Sequence, residues 1–387
     1  MFVIVQCLPF LFFALLWFVF GKTAKNTILT LSVLILSLAY TSFYLNGEDW
    51  VNYYVNFYTH NGSSWFEPGF LLFYSLLRFV AFENFGIATL LFYTTAFSCL
   101  ILAANKNKKC NVPAFLFFVL FFFGNTLILE QLRQFISVII VFCALQSKMQ
   151  GKGLKAYIYV VISITFHASA VIVLLSFVLA DVKSKKIFIL STLLLSVGLT
   201  FTFVNDSVIS LGVQLIPTIF TKIQVYNEFT NVNFYIGPSM LLALTLLGYY
   251  LLSTYKLSYS HATESTFLQR QIFFGGAIFF IGAYIPFMSR LTSYYIIFLF
   301  YDIACNHAPR YFKLYKKDGF LLIFVFLFIS SNLFSYYKND IAPVKFEQLT
   351  FNFFPFVSGE IDYKKRISDI FYKNAEVLSG SGVEKEK

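Results

Sequence analysis

Apolar runs of 15 to 25 residues recur along the chain, separated by short polar turns. A helix needs roughly 20 apolar residues to cross a bilayer, and in lipid the backbone must satisfy its own hydrogen bonds, so these runs read as helices despite their many Phe, Val and Ile. The pattern predicts about twelve spans. They lie near residues 2–20, 27–45, 86–104, 112–129, 132–147, 154–166, 168–180, 187–204, 238–254, 271–287, 290–306 and 319–337. One further apolar stretch, residues 68–82, is only 15 long, opens after Glu67-Pro68 and carries Arg78. Those features predict a short re-entrant or interfacial helix in place of a crossing. The first segment lacks a basic start and a small-residue cleavage site, so it reads as a retained span. The fold class expected is an all-α polytopic integral membrane protein.

Composition agrees: 58% of residues are hydrophobic and 12% charged, outside the range of a soluble domain. A net charge of +10 raises the question of nucleic acid. Of the 21 Lys and Arg before residue 338, however, 17 sit in alternate short connections, around residues 22–25, 106–109, 148–155, 183–186, 256–270 and 310–317. The positive-inside rule places those connections in the cytoplasm, and no single basic patch remains for nucleic acid. Residues 156–180 have basic flanks on both sides, which predicts a hairpin with His167 at its tip. The outer face then receives the loops 46–67 and 205–237, the turn at 130–134, His167 and the turn at 288–290. The chain thus divides into a transmembrane unit, 1–337, an external polar tail, 338–378, and an end, 379–387, with the composition of a linker remnant. Cys7, Cys99, Cys110, Cys143 and Cys305 are odd in number and widely spaced, implying neither a disulfide framework nor a metal site.

Against this background three ionisable residues stand nearly alone at the ends of apolar segments: Arg133, His167 and Arg290. Polar groups near lipid are costly and mark functional sites. Glu130, Arg133 and Gln134 are spaced for one helical face, from which a guanidinium fork can meet a phosphate; the plainer alternative is an interfacial Arg paired with Glu130. His167 can move a proton or contact a phosphate oxygen, or simply pack between helices. Arg290 sits where an outward helix begins, an end that already favours anions; membrane anchoring is its bland reading. The first external loop offers Glu48, Asp49 and Glu67 beside Tyr53, Tyr54 and Tyr58, without Lys or Arg. Carboxylates beside aromatic faces suit carbohydrate hydroxyls, and one can act as a base; the loop also fits an interfacial aromatic belt. Gly275-Gly276 predicts close helix packing. No P-loop, dinucleotide fingerprint, zinc spacing or nucleophile elbow is present in the sequence.

In order, Asp49 to Tyr53, Glu67-Pro68-Gly69-Phe70, Leu132-Arg133-Gln134, Phe166-His167-x-Ser169-Ala170, and Arg290 with Tyr294 and Tyr295 resemble the EpsG family of Wzy-type polysaccharide polymerases, over roughly residues 40–300. The chain departs from the family in Phe135-Ile136-Ser137, where Ala usually follows Arg-Gln, and in its tail.

The resemblance implies a GT-C-like, metal-independent, inverting glycosyltransferase of the bacterial cytoplasmic (inner) membrane, with its site on the external face and no cofactor. Its donor and acceptor are expected to be undecaprenyl-diphosphate-linked oligosaccharides, its surroundings the lipid bilayer, and a chain-length regulator its partner, in the making of O-antigen, capsule or exopolysaccharide. Arg133 and Arg290 would hold the diphosphate. His167 would contact phosphate or assist proton transfer, while Glu48, Asp49 or Glu67 would orient or deprotonate the acceptor. Arg78, Glu130, Gln134, Tyr53 and Tyr294 complete the set as substrate-binding residues. Two other readings stay open at this point: a membrane glycan O-acyltransferase, and a flippase for lipid-linked glycans.

Overall fold

The computed structural model describes residues 2–20, 23–44, 49–59, 66–215, 263–282 and 286–307, with isolated positions between 220 and 250. Glu48, most of the loop 205–237, the span expected at 319–337 and the tail lie outside the described residues, as does more than half of the span expected at 238–254. Among the described residues every regular element is helical, as expected where backbone groups must be paired within each segment.

The helices run in the order α1 (Phe2–Phe20), α2 (Lys25–Phe43), α3 (Trp50–Thr59), α4 (Pro68–Val80), α5 (Phe85–Asn105), α6 (Val112–Phe123) and α7 (Leu132–Met149). They continue as α8 (Gly153–Phe166), α9 (Val171–Ala180), α10 (Lys185–Val204), α11 (Asp206–Leu215), α12 (Thr263–Gly282) and α13 (Pro286–Asp302). Among the described residues, four helices are long and apolar enough to cross a membrane: Lys25–Phe43, Phe85–Asn105, Leu132–Met149 and Lys185–Thr202. Side-chain caps start several of the elements. Asn84 accepts from Ile87 N at 3.0 Å, Asn111 from Ala114 N at 3.1 Å and Ser184 from Ile187 N at 3.4 Å, each satisfying one of the donors a helix start leaves open.

Two details decide where polar residues gather. The chain folds back at His167: Tyr157, in the first turns of α8, donates from its hydroxyl to Asp181 at 2.9 Å, just past the end of α9. Lys148, near the end of α7, pairs with the same carboxylate at 2.6 Å. The hairpin tip therefore lies at the opposite end of the bundle from those lysine-rich turns. α4, for its part, starts and finishes at the tip's end. Glu67, before its first residue, reaches the start of α7, and α5, which follows it, begins against Tyr44 at the end of α2, ring centroids 6.0 Å apart between Tyr44 and Phe85. At 13 residues α4 is shorter than the roughly 20 a crossing needs. Its face of Phe70, Tyr74 and Leu77 is buried while Leu72, Leu76 and Phe79 are exposed.

Four elements differ from the hydrophobic pattern. α3 and α11 are helices inside connections read as loops, because amphipathic segments of 10 residues carry no span-length apolar run. α12 starts eight residues before the expected 271, its first turns being polar. The described part of α13 begins at Pro286, four residues before the expected 290.

Close approach fixes two crossings. A Cβ on Gly275 would lie 2.2 Å from Tyr295 Cβ, so α12 and α13 pack almost backbone to side chain, as the glycine pair suggested. A Cβ on Gly69 would meet Thr165 Oγ1 at 2.2 Å and the Thr165 carbonyl oxygen at 2.8 Å, so α4 crosses α8 in near contact. Backbone cannot yield as a long side chain can. Gly69→Ala is expected to destabilise the protein by about 1–3 kcal/mol and to displace the start of α4, read as a lowered unfolding temperature in detergent together with lost activity. Unchanged stability and activity would show that the crossing can open without cost.

Candidate active site

The end of the bundle that holds the hairpin tip collects residues far apart in sequence. Pro68 starts α4 and makes Glu67 its capping residue, yet the Glu67 side chain makes no capping hydrogen bond. Forgoing a cap costs about 1 kcal/mol. The carboxylate turns instead to three donors. Arg133 Nη1 donates to Oε2 at 2.7 Å, His167 Nδ1 lies 3.3 Å from Oε1, and Ala168 N donates to Oε1 at 3.4 Å. Glu67 is only 11% exposed, and Arg133 and His167 are each 22% exposed, so this bridge is shielded well beyond a surface ion pair. Removing one member would leave poorly solvated charge behind, a loss on the order of 3 kcal/mol.

Arg133 is held from its other side by aromatics. Its guanidinium lies 4.5 Å from the Phe66 ring centroid, a contact worth about 1 kcal/mol. Phe66 in turn stacks on buried Tyr53 at 5.5 Å, and the Tyr53 hydroxyl engages Arg133. Burial pushes the Tyr53 phenol up to about 12 against the opposing pull of that guanidinium, so Tyr53 remains a neutral partner. Tyr74 donates to the Tyr53 carbonyl at 3.2 Å. The tyrosines read from sequence as a loop ladder therefore divide: Tyr53 faces inward to support Arg133, while Tyr58 is exposed.

Arg290 enters through the backbone. Gln134, the neighbour of Arg133, donates from Nε2 to the Arg290 carbonyl at 2.6 Å, tying α13 near its start to the first turn of α7. The Arg290 and Arg133 charges both act on His167. Burial and these two cations hold the imidazole below its ordinary value of 6.5, outweighing the opposing pull of Glu67. Glu67 itself is pushed up by burial, but the His167 hydrogen bond and the Arg133 charge outweigh that and bring it down to about 2. At neutral pH the cluster is thus an ionised carboxylate, a neutral imidazole and two guanidinium groups. An ionised carboxylate can only accept, so the His167 proton sits on Nδ1 and Nε2 is left as an acceptor.

The remaining expected residues spread around this centre. α7 begins at Leu132, so Glu130 precedes the helix and does not share a face with Arg133 and Gln134; its Oε2 accepts from Asp49 N at 3.0 Å, anchoring the start of α3. Arg78 lies some 15 Å along α4 from its start. There it pairs with Glu83 at 2.9 Å and closes the left-handed turn of Phe82 and Glu83, φ 50° and 61°. Tyr294 is fully buried, its hydroxyl 3.0 Å from Ser169 Oγ and 3.3 Å from Ser137 Oγ. Sequence reasoning missed Phe66 and Ser137. The second carried a signal, since it lies four residues after Arg133 and hence on the same helical face.

A helical membrane protein with a shielded carboxylate, imidazole and guanidinium at one bundle end, and the Arg290 backbone tied beside them, is the class that fold and site define. The EpsG family model matches residues 26–358, and the chain belongs to the EpsG family. That membership gives it a membrane glycan-polymerase-like function of glycosyltransferase type. No curated protein matches the chain, and no solved structure does.

Proposed function

We propose that the protein is a polysaccharide polymerase of the bacterial cytoplasmic membrane, making O-antigen, capsule or exopolysaccharide. It would transfer a growing glycan from undecaprenyl diphosphate to the terminal sugar of a lipid-linked repeat unit on the external face, within a GT-C-like scaffold. The observation that carries this reading is the Glu67 carboxylate bridging Arg133 and His167 with Arg290 tied alongside. This arrangement combines a base with an anion site in one cluster.

In this reaction the acceptor hydroxyl oxygen bonds to the anomeric carbon, the bond from that carbon to the diphosphate oxygen breaks, and the electron pair leaves with the diphosphate. His167 Nε2 takes the hydroxyl proton. Glu67 keeps the ring in the required tautomer and stabilises the imidazolium as it forms, the role a carboxylate plays behind a catalytic histidine. Arg133 and Arg290 meet the charge that grows on the leaving group, a stabilisation stronger in the transition state than in the ground state. A single displacement inverts the anomeric carbon, and no step needs a metal. Glu48 and Asp49 remain proposed contacts to the acceptor sugar. Glu130 and Gln134 hold the elements that carry Asp49, Arg133 and Arg290, and Tyr53 supports the guanidinium.

The length of the hairpin suits a lipid-borne substrate. α8 has 14 residues, about 21 Å of rise against a hydrocarbon core of ~30 Å, so a hairpin rooted at the lysine-rich face would set His167 below the opposite surface. The isoprenoid can then approach from lipid while the glycan extends into water.

Reconstitution in liposomes with purified repeat unit linked to polyprenyl diphosphate tests the proposal. Chains longer than one repeat should appear with one polyprenyl diphosphate released per added unit. Movement of glycan between leaflets without elongation would replace this reading with a flippase, and dependence on an acyl donor would replace it with an acyltransferase.

A further inference from the structure

Apart from the Glu67 bridge, what places His167 is a chain of hydroxyls whose direction can be worked out. His167 is extended, φ −156° and ψ 116°, between α8 and the 3-10 turn Ala168–Ala170. Ser169 Oγ in that turn lies 3.0 Å from Tyr294 Oη, and Tyr294 Oη lies 3.3 Å from Ser137 Oγ. Ser137 Oγ donates to the Ser163 carbonyl at 3.0 Å. A hydroxyl has one proton. Ser137 spends its proton on a carbonyl, which can only accept, so Tyr294 must donate to Ser137. Tyr294 has then used its own proton, so Ser169 must donate to Tyr294. The same Ser163 carbonyl accepts from His167 N at 3.0 Å. The chain therefore closes a ring through α7, α13, the hairpin turn and the end of α8, with His167 inside it.

We infer that Tyr294, with Ser137 and Ser169, is a positioning residue for His167 and not a substrate contact. Its hydroxyl is a point at which α13 holds the hairpin turn by a directed bond, and α13 also carries Arg290. The bond fixes the turn that carries His167 against α13. Burial argues the same way: Tyr294 is 0% exposed, out of reach of a glycan, and in that dry setting an orphaned hydroxyl partner is costly. The neighbouring Tyr295 donates to the Ile172 carbonyl at 3.2 Å, so consecutive tyrosines secure the turn and the start of α9.

This inference rests on His167 acting as the base, and the experiment separates the two claims. Tyr294→Phe keeps the ring and removes both hydrogen bonds; Ser169→Ala removes one of them from a half-buried position without disturbing the core. Each should lower kcat about 10-fold, the effect of one lost buried hydrogen bond on placement, while KM for the lipid-linked donor stays unchanged. Together they should cost no more than either alone. In a His167→Ala background, measured on its residual turnover, Tyr294→Phe should have no further effect, because a positioning residue has nothing left to position. An equal loss in that background, or a normal kcat in both single variants, would overturn the inference. Full activity of His167→Ala itself would overturn the catalytic role of His167, and would be visible before Tyr294 is touched.

Discussion

Arg133→Ala and Arg290→Ala should each reduce elongation by about 10²–10³-fold, the usual cost of removing one preorganised group that meets developing charge. Arg133 is predicted to suffer the larger loss. Its guanidinium touches the carboxylate, the Phe66 ring and Tyr53, so its position is determined on several sides and water cannot replace it. Lys at position 133 should rescue poorly, since an ammonium keeps the charge but not the planar fork. The measurement is polymer length and released polyprenyl diphosphate from reconstituted protein, with unfolding temperature as a control for folding. Normal polymer from Arg290→Ala would remove Arg290 from the leaving-group site, and normal polymer from Arg133→Ala would end the proposal as a whole.

Glu67→Gln should be nearly as severe and reports on a different part of the mechanism. The amide fills the same space but cannot stabilise an imidazolium. Elongation should fall about 10²-fold or more, by analogy with the loss of a carboxylate behind a catalytic histidine. The pH dependence carries the sign. His167 lies below 6.5 in the folded protein, so the acid limb of the rate profile should fall below pH 6.5. Glu67 is what pulls His167 upward, while Arg133 and Arg290 push it down. Removing the carboxylate should therefore move the acid limb to still lower pH. An upward or absent shift would show that Glu67 does not hold the imidazole.

Stability follows the same logic. The Glu67 contribution is complete above its ordinary value of 4.5 and is lost as pH falls through about 2. The depressed His167 works against the fold as pH drops below 6.5, because the unfolded chain takes up that proton first. Unfolding temperatures between pH 4.5 and 7 should accordingly decline with acidity in the native protein and change less in His167→Ala.

Much of this was legible because membrane segments obey one-dimensional rules. The ends of α1, α2, α5, α7, α8 and α10 fall within a few residues of the hydrophobic runs, since transfer of each segment into lipid depends on its own residues. Loop charges at 148–155 and 183–186 foretold the reversal at His167, and Lys148 does meet Asp181 at the far end of the hairpin from the tip. Arg133, His167 and Arg290 stood out because lone polar groups beside apolar runs need a reason.

What no local rule contained was the choice among carboxylates and the role of Tyr294. Glu48, Asp49 and Glu67 have equal standing in the sequence. Only the tertiary structure sets Glu67 against Arg133, 66 residues away, and His167, 100 away, and joins Gln134 to Arg290 across 156. Those distances depend on how closely helices cross, which Gly69 against Thr165 and Gly275 against Tyr295 decide. By itself the sequence determined a helical membrane protein and its family, and made three ionisable residues stand out, because hydropathy and charge act segment by segment. The carboxylate that joins Arg133 to His167, and the hydroxyl chain that holds the hairpin tip, were decided by packing between segments, where contact energies depend on three-dimensional approach and leave no periodic trace along the chain.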